Sequence, residues 1–302
     1  MKRLIALILF AGAPAAAQQD FSKVEIRTEQ VAPGVHVLFG AGGNIGVSTG
    51  PEGTFIIDDQ YAPLTPKIQA ALTKLADKPV RFVLNTHWHG DHTGGNENLG
   101  KAGALIVAHD NVRVRMSSEQ FIASMQRKVP ASPAVALPVV TFDSRTTFHI
   151  NGDAIRGVHV PHAHTDGDSL VQFTKANVIH MGDTYFSAGY PYVDLSSGGS
   201  FDGLLAAHAK ALELGNDATR YIPGHGPVTG KAELAAYRAM IAEIVGKVRA
   251  GIAAKQSVEQ IIAAKPTAAH DAKWGTGFIK PDVLVRTIHT SLTSKPKAAH
   301  QH

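Results

Sequence analysis

Thr86-His87-Trp88-His89-Gly90-Asp91-His92 is the stretch on which the fold turns. It directly follows Val80 to Leu84, a short apolar run that reads as a strand. His87 and His89 are two residues apart, so in extended backbone their side chains leave on the same face. Trp88, between them, should point the other way. Gly90 permits a sharp turn, after which Asp91 and His92 arrive from a new direction. One short loop thus offers four metal-capable side chains to two adjacent points.

Working outward, three more segments place such a residue beside a strand. His164 lies in Pro161-His162-Ala163-His164-Thr165-Asp166-Gly167-Asp168, between two strand-like runs. Asp183 lies in His180-Met181-Gly182-Asp183-Thr184, and His225 in Pro223-Gly224-His225-Gly226-Pro227, each just after a strand. Loops at one edge of a sheet can converge on one pocket. The chain has no cysteine, so any metal site must use His, Asp and Glu.

These segments, in this order, resemble those of metallo-β-lactamase-fold hydrolases, over roughly residues 35–250. The resemblance implies an α+β fold, a four-layer αββα metallo-β-lactamase sandwich, with metals at one edge between two sheets. It assigns His87, His89 and His164 to a first metal ion and Asp91, His92 and His225 to a second, with Asp183 bridging. Two Zn2+ fit this nitrogen and oxygen set, and iron or manganese fits it by ligand type. The chemistry implied is attack by a metal-activated water on the carbonyl of a β-lactam, lactone, thioester or related substrate, with Asp91 orienting the water or moving its proton. Asp183 stands where the best-known zinc β-lactamases carry Cys. Phe186 stands where they carry a Lys that holds the drug carboxylate. The Gly-Asp-Thr segment is closer to glyoxalase II and the wider thioester and lactone hydrolases. Two other readings share the ligand set: an iron-dependent oxidoreductase on the same fold, and a non-catalytic zinc-binding protein.

The surrounding sequence sets the frame. Lys2 and Arg3, the apolar run Leu4 to Phe10 and the small residues Ala15 to Ala17 have the layout of a secretory signal peptide, here taken as residues 1–17. That layout predicts a secreted, periplasmic protein with no stable membrane span after cleavage, its remaining residues 18–302 forming one metallo-β-lactamase-like domain. Of 29 Lys and Arg against 25 Asp and Glu, two basic groups fall in 1–17, leaving a net charge of +2. The basic residues are scattered and not interleaved with aromatics, which favours a small-molecule substrate over nucleic acid.

Strands are expected at Val35 to Phe39, Ile45 to Thr49, Thr54 to Asp58, Leu105 to Ala108, Ala154 to Val160, Leu170 to Phe173, Val178 to Met181 and Arg220 to Ile222. A helix should start at Thr65-Pro66, with Thr65 as its cap. From Lys231 to about Lys265 the pattern is helical, with Leu234, Tyr237, Ile241, Ile244 and Val248 on one side. Residues 117–143 carry three prolines and little periodicity, and read as either a flap or a packed irregular insert. A polar, frayed tail is expected after Leu292. Asp58 is a candidate to orient a ligand histidine, or a turn residue. His162 is the rival of His164, and the remaining histidines, His180 and His208 among them, are read as structural. Tyr185, Phe186, Tyr190 and Tyr192 either line a pocket or pack in the core.

Overall fold

The computed structural model describes residues 20–294. The expected signal peptide, and the tail from residue 295 on, lie outside them. The chain opens with an antiparallel meander, β1 (Arg27–Ala32), β2 (Val35–Phe39), β3 (Ile45–Gly50) and β4 (Gly53–Ile57). Helix α1 (Thr65–Leu75) crosses to β5 (Val80–Leu84), parallel to β4. Helices α2 (Gly90–Thr93) and α3 (Asn96–Lys101) lead to β6 (Leu105–His109), parallel to β5. After α4 (Asp110–Met116), a separate hairpin of β7 (Gln120–Ile122) and β8 (Arg127–Val129) precedes β9 (Val140–Phe142), which completes a seven-stranded sheet.

The second sheet has five strands: β10 (Arg145–Ile150), β11 (Asp153–His159), β12 (Ser169–Phe173), β13 (Val178–His180) and β14 (Arg220–Ile222). Helix α5 (Phe201–Leu214) carries the chain from β13 to β14, which run parallel. Helices α6 (Lys231–Ala253), α7 (Val258–Ala263), α8 (Asp271–Trp274) and α9 (Pro281–Thr293) follow.

Alternation along the strands divides the apolar side chains into three layers. Leu38, Ile56 and Val83 face α1 and α3 and pack with Ile68, Leu72 and Leu99. Their neighbours Val37, Phe55, Ile57 and Leu84 face the other way and meet Ile155, Val171, Phe173 and Ile222 of the second sheet. Leu170, Ile179 and Tyr221 on that sheet's outer face pack against Phe201, Leu234, Tyr237, Ile241 and Leu284. Three apolar layers between four structural layers make the αββα sandwich that the sequence implied.

The structure corrects several local expectations. Thr65 is not the cap of α1 but its first helical residue, because a 3-10 turn at Ala62–Leu64 runs straight into the helix. Pro66 needs no cap, having no N–H. The helical stretch after Lys231 breaks at Lys255, which has φ +58°. Ser257 and Gln260 then form a capping box that starts α7 afresh. The 117–143 segment is not irregular throughout: it contains the β7–β8 hairpin and the edge strand β9. Helix α5 escaped notice because its buried face is made of Phe201, Leu204, Ala207, His208 and Ala211, a weak apolar stripe.

His208 gives this fold a pH dependence. It is fully buried, donates Nε2–H to the Thr184 carbonyl, and has no partner for Nδ1. Burial disfavours its charged form and pushes its pKa down to about 4, against 6.5 in the unfolded chain. The unfolded state therefore binds the proton more readily, so this contribution to stability is full above pH 6.5 and is lost as pH falls towards 4. The linkage amounts to roughly 3 kcal/mol. In urea unfolding of the chelated chain, His208→Gln should lose less stability than the parent between pH 7 and pH 4.5. Parallel losses in both proteins would refute the assignment.

Candidate metal centre

The parallel pairs β4–β5 and β13–β14 end at one edge of the sandwich, and the loops after them carry the polar residues singled out above. Asp58 follows β4, the 86–92 segment follows β5, Asp183 follows β13 and His225 follows β14. His164 comes from the loop between β11 and β12. Backbone hydrogen bonds tie the two sheets together here: Ser169 N–H donates to the Thr86 carbonyl at 2.9 Å, and Asn44 N–H to the Gly224 carbonyl at 2.7 Å.

All seven sequence candidates come together. His87, His89, His164 and Asp183 form one group, and Asp91, His92 and His225 a second, with the ligand atoms of each group within 4.8 Å of one another. Asp183 joins the two groups. Its Oδ1 is 3.0 Å from His92 Nε2 and 3.5 Å from His225 Nε2, while its Oδ2 is 3.7 Å from His164 Nε2 and 3.8 Å from His87 Nε2. Close approach of backbone makes this possible. A Cβ at Gly224 would sit 2.0 Å from Asp183 Oδ1, and one at Gly43 would sit 2.1 Å from the His92 ring. By contrast, Gly90 is not required by its turn: its φ is not positive, and a Cβ there would meet open space. Trp88 points away, into the apolar cluster with Val112 and Met116.

Each inner histidine is anchored on its outer side. His92 Nδ1 lies 2.7 Å from Asp58 Oδ2, and the same carboxylate accepts the Thr86 N–H at 2.7 Å and the Thr86 hydroxyl at 2.8 Å. Asp58 thus makes the orienting contact to His92 that one of its two sequence readings expected. His89 Nε2 faces the Asp194 carboxylate at 3.1 Å, and His164 Nδ1 faces the Tyr192 carbonyl at 2.8 Å. Asp194 was not legible beforehand. Its Asp-Leu-Ser-Ser setting is an ordinary helix cap, and its contact with His89 spans 105 residues. Asn44 was missed too. Its side-chain amide donates to the carbonyls of Pro223 and Gly226, both at 2.8 Å, and so holds the loop that bears His225. His162 is exposed, with Nδ1–H donated to the Gly198 carbonyl, outside both groups. His180 is structural: its Nε2–H goes to the Asn44 carbonyl.

The donor set fits metal cations. His89 Nδ1 and His164 Nε2 lie 2.9 Å apart. Both rings direct their proton to the outer acceptor, so two lone pairs face each other, a repulsive contact unless a cation lies on that side. His87 Nε2 is buried with no hydrogen-bond partner, and His92 Nε2 and Asp183 Oδ1, although 3.0 Å apart, are not aligned for a hydrogen bond. Buried polar atoms are seldom left so unless a ligand takes them. Burial drives His87 well below the usual imidazole range and His164 down to about 4, leaving both as neutral imidazoles. Burial also opposes charge on His92 and His225, but the Asp183 carboxylate, helped by Asp91, outweighs it. Both are held above the usual range, His225 at about 9. Burial would raise Asp91, yet the positive charge of His92 and a hydrogen bond from His225 bring it down to about 2. The second group therefore favours positive charge at its centre.

The centre opens into a cleft of about 480 Å3. Asp91, Asp183 and His225 form its floor, Phe186, Tyr190 and Tyr192 one wall, and the β7–β8 hairpin another. The aromatic cluster thus divides: Tyr185 is wholly in the core, while Phe186 stacks on His225 at 5.2 Å and faces the cleft.

Comparison with known proteins agrees with this geometry. The metallo-beta-lactamase superfamily model matches residues 38–225. A hydroxyacylglutathione hydrolase of Polaromonas sp. is 29% identical over 164 residues, covering 54% of this chain and 55% of that protein. An atrochrysone carboxyl ACP thioesterase of Emericella nidulans is 26% identical over 171 residues, covering 55% and 49%. The chain thus spans about half the length of these curated relatives. The crystal structure of DIM-1 metallo-beta-lactamase superposes with a TM-score of 0.59 at 19% identity, over 73% of this chain and 99% of that one. With the sandwich, the edge cluster and a family match that runs from β2 to His225, the chain belongs to the metallo-β-lactamase superfamily.

Proposed function

We propose that this chain is an exported dinuclear zinc hydrolase that cleaves activated carbonyl compounds, with thioesters the leading class beside lactones and β-lactams. The observation that carries the metal part is the facing pair of lone pairs on His89 and His164, with the divided carboxylate of Asp183 beside it. His87, His89 and His164 would hold one ion and Asp91, His92 and His225 the other, with Asp183 between. Two such ions would supply Lewis acidity and a water acidic enough to attack a carbonyl at neutral pH. Asp91, a quarter exposed and 3.3 Å from His225 Nε2, faces the cleft, where its carboxylate orients the attacking water and accepts its proton. Phe186 and Tyr192 shield the reacting carbonyl from bulk water.

Thioesters lead because one relative is named as a thioesterase and another as a hydroxyacylglutathione hydrolase. Phe186, where the best-known zinc β-lactamases hold a lysine, weighs in the same direction. Export rests on residues 1–17 alone.

The test is hydrolysis of a thioester, a lactone and a chromogenic β-lactam by the purified chain before chelation, after chelation and after zinc is restored. At least one substrate should be cleaved, with activity abolished by the chelator and recovered with zinc. Silence on all three, with two ions bound, would overturn the hydrolase reading.

A further inference from the structure

The β7–β8 hairpin presents two different faces. Its register pairs Ile122 with Arg127 and Phe121 with Lys128. Ile122 and Arg127 line the cleft, whereas Phe121 is half exposed and Lys128 pairs outward with Glu119 at 2.8 Å. The hairpin is seated rather than loose: the Ala123 N–H donates to the Ser196 hydroxyl at 3.2 Å, and the Ser124 and Tyr192 hydroxyls meet at 2.7 Å. Ser196 and Tyr192 flank Asp194, so the hairpin rests on the loop that anchors His89 and His164.

Arg127 is the only lysine or arginine among the described residues that line the cleft. The cationic side chains close to it in sequence are occupied. Arg115 makes a bidentate pair with Asp166, Arg113 donates to the Pro138 carbonyl, and Lys128 holds Glu119. The Arg127 guanidinium has no such partner among the described residues. The carboxylates that line the same cleft, Asp91 and Asp183, are the ones the cations would neutralise. Phe278, 74% exposed, lines the same cleft, its ring 6.3 Å from that of Tyr192. An unpaired guanidinium and a large exposed ring lining one cleft suit a substrate that has both an anionic group and an apolar body.

We propose that Arg127 makes the cleft selective for substrates bearing a carboxylate on the hairpin side, with their apolar part against Phe278. This selectivity rests on the hydrolase reading above, and the test separates the two.

The substrates are phenylacetyl thioesters of mercaptoacetate and of mercaptoacetamide, identical but for one charge. Arg127→Ala should raise KM for the carboxylate about 10- to 100-fold, the usual range for losing a charge-assisted hydrogen bond, with kcat little changed. The amide twin should stay within about twofold. Lys128→Ala removes the same charge from the hairpin's outer face and should leave both substrates unchanged. Equal losses on both twins in Arg127→Ala, or equal effects of the two variants, would overturn the proposal. Binding of phenylacetylglycine and its amide to the zinc-loaded chain is measured by calorimetry in parallel. Tighter binding of the anion, lost in Arg127→Ala, upholds the anion site even if neither thioester is cleaved, a result that would count only against the hydrolase reading. No preference for the anion in the parent chain would refute the proposal whatever the turnover.

Discussion

Asp183→Ala should lose metal and hydrolysis together. Asp183 is the one side chain whose two oxygens face different halves of the centre, Oδ1 towards His92 and His225 and Oδ2 towards His87 and His164. Truncation leaves each half one oxygen short and removes the negative charge that would offset two cations. Lewis-acid assistance is worth several kcal/mol, and each 1.36 kcal/mol is a factor of ten, so kcat/KM should fall by about 10^3 or more. Metal quantification after dialysis should find the variant depleted. An active variant with its full metal complement would remove Asp183 from the bridging role.

Asp58→Ala should be nearly as severe, by a different route. The Asp58 carboxylate is completely buried and its backbone is held at φ +63°. It accepts from the Thr86 N–H and hydroxyl and faces His92 Nδ1. Without it the His92 tautomer is no longer fixed, and outer partners of this kind are worth about 10- to 100-fold in metal affinity. Two buried Thr86 donors are also left unmet, and breaking a buried charged pair costs about 3–5 kcal/mol. Asp58→Asn preserves the shape and one acceptor oxygen but turns an amide donor towards either Thr86 or His92. It should recover part of the stability and little of the metal affinity. Unchanged metal affinity in both variants would show that His92 is held in place by other contacts.

The sequence made one half of this site legible and hid the other. Ligand-type residues announced themselves because they sit in short loops with Gly and a strand before them, and His87, His89, Asp91 and His92 fall within six residues. The side chains that orient them did not. Asp194 reaches His89 and Asn44 reaches the 223–226 loop across more than a hundred residues, and no local pattern encodes such pairs. The strands were readable where two buried faces made near-continuous apolar runs, as at Phe55 to Ile57 or Val83-Leu84. Edge strand β1, with its exposed and polar RTEQVA sequence, was not. The β7–β8 hairpin escaped because strands of three residues are too short to show a period, and only pairing across the turn reveals which face Arg127 shares. Helix α5 remained hidden because its inner face has large apolar residues only near its start, at Phe201 and Leu204, followed by Ala207, His208 and Ala211.

The central claim, that two cations lie side by side at the sheet edge and share Asp183, is tested most directly by anomalous diffraction from crystals of the zinc-loaded chain. Two peaks are expected, one among His87, His89 and His164 and one among Asp91, His92 and His225, with an Asp183 oxygen on each. A single peak, or peaks that leave Asp183 or His225 outside coordination distance, would contradict it.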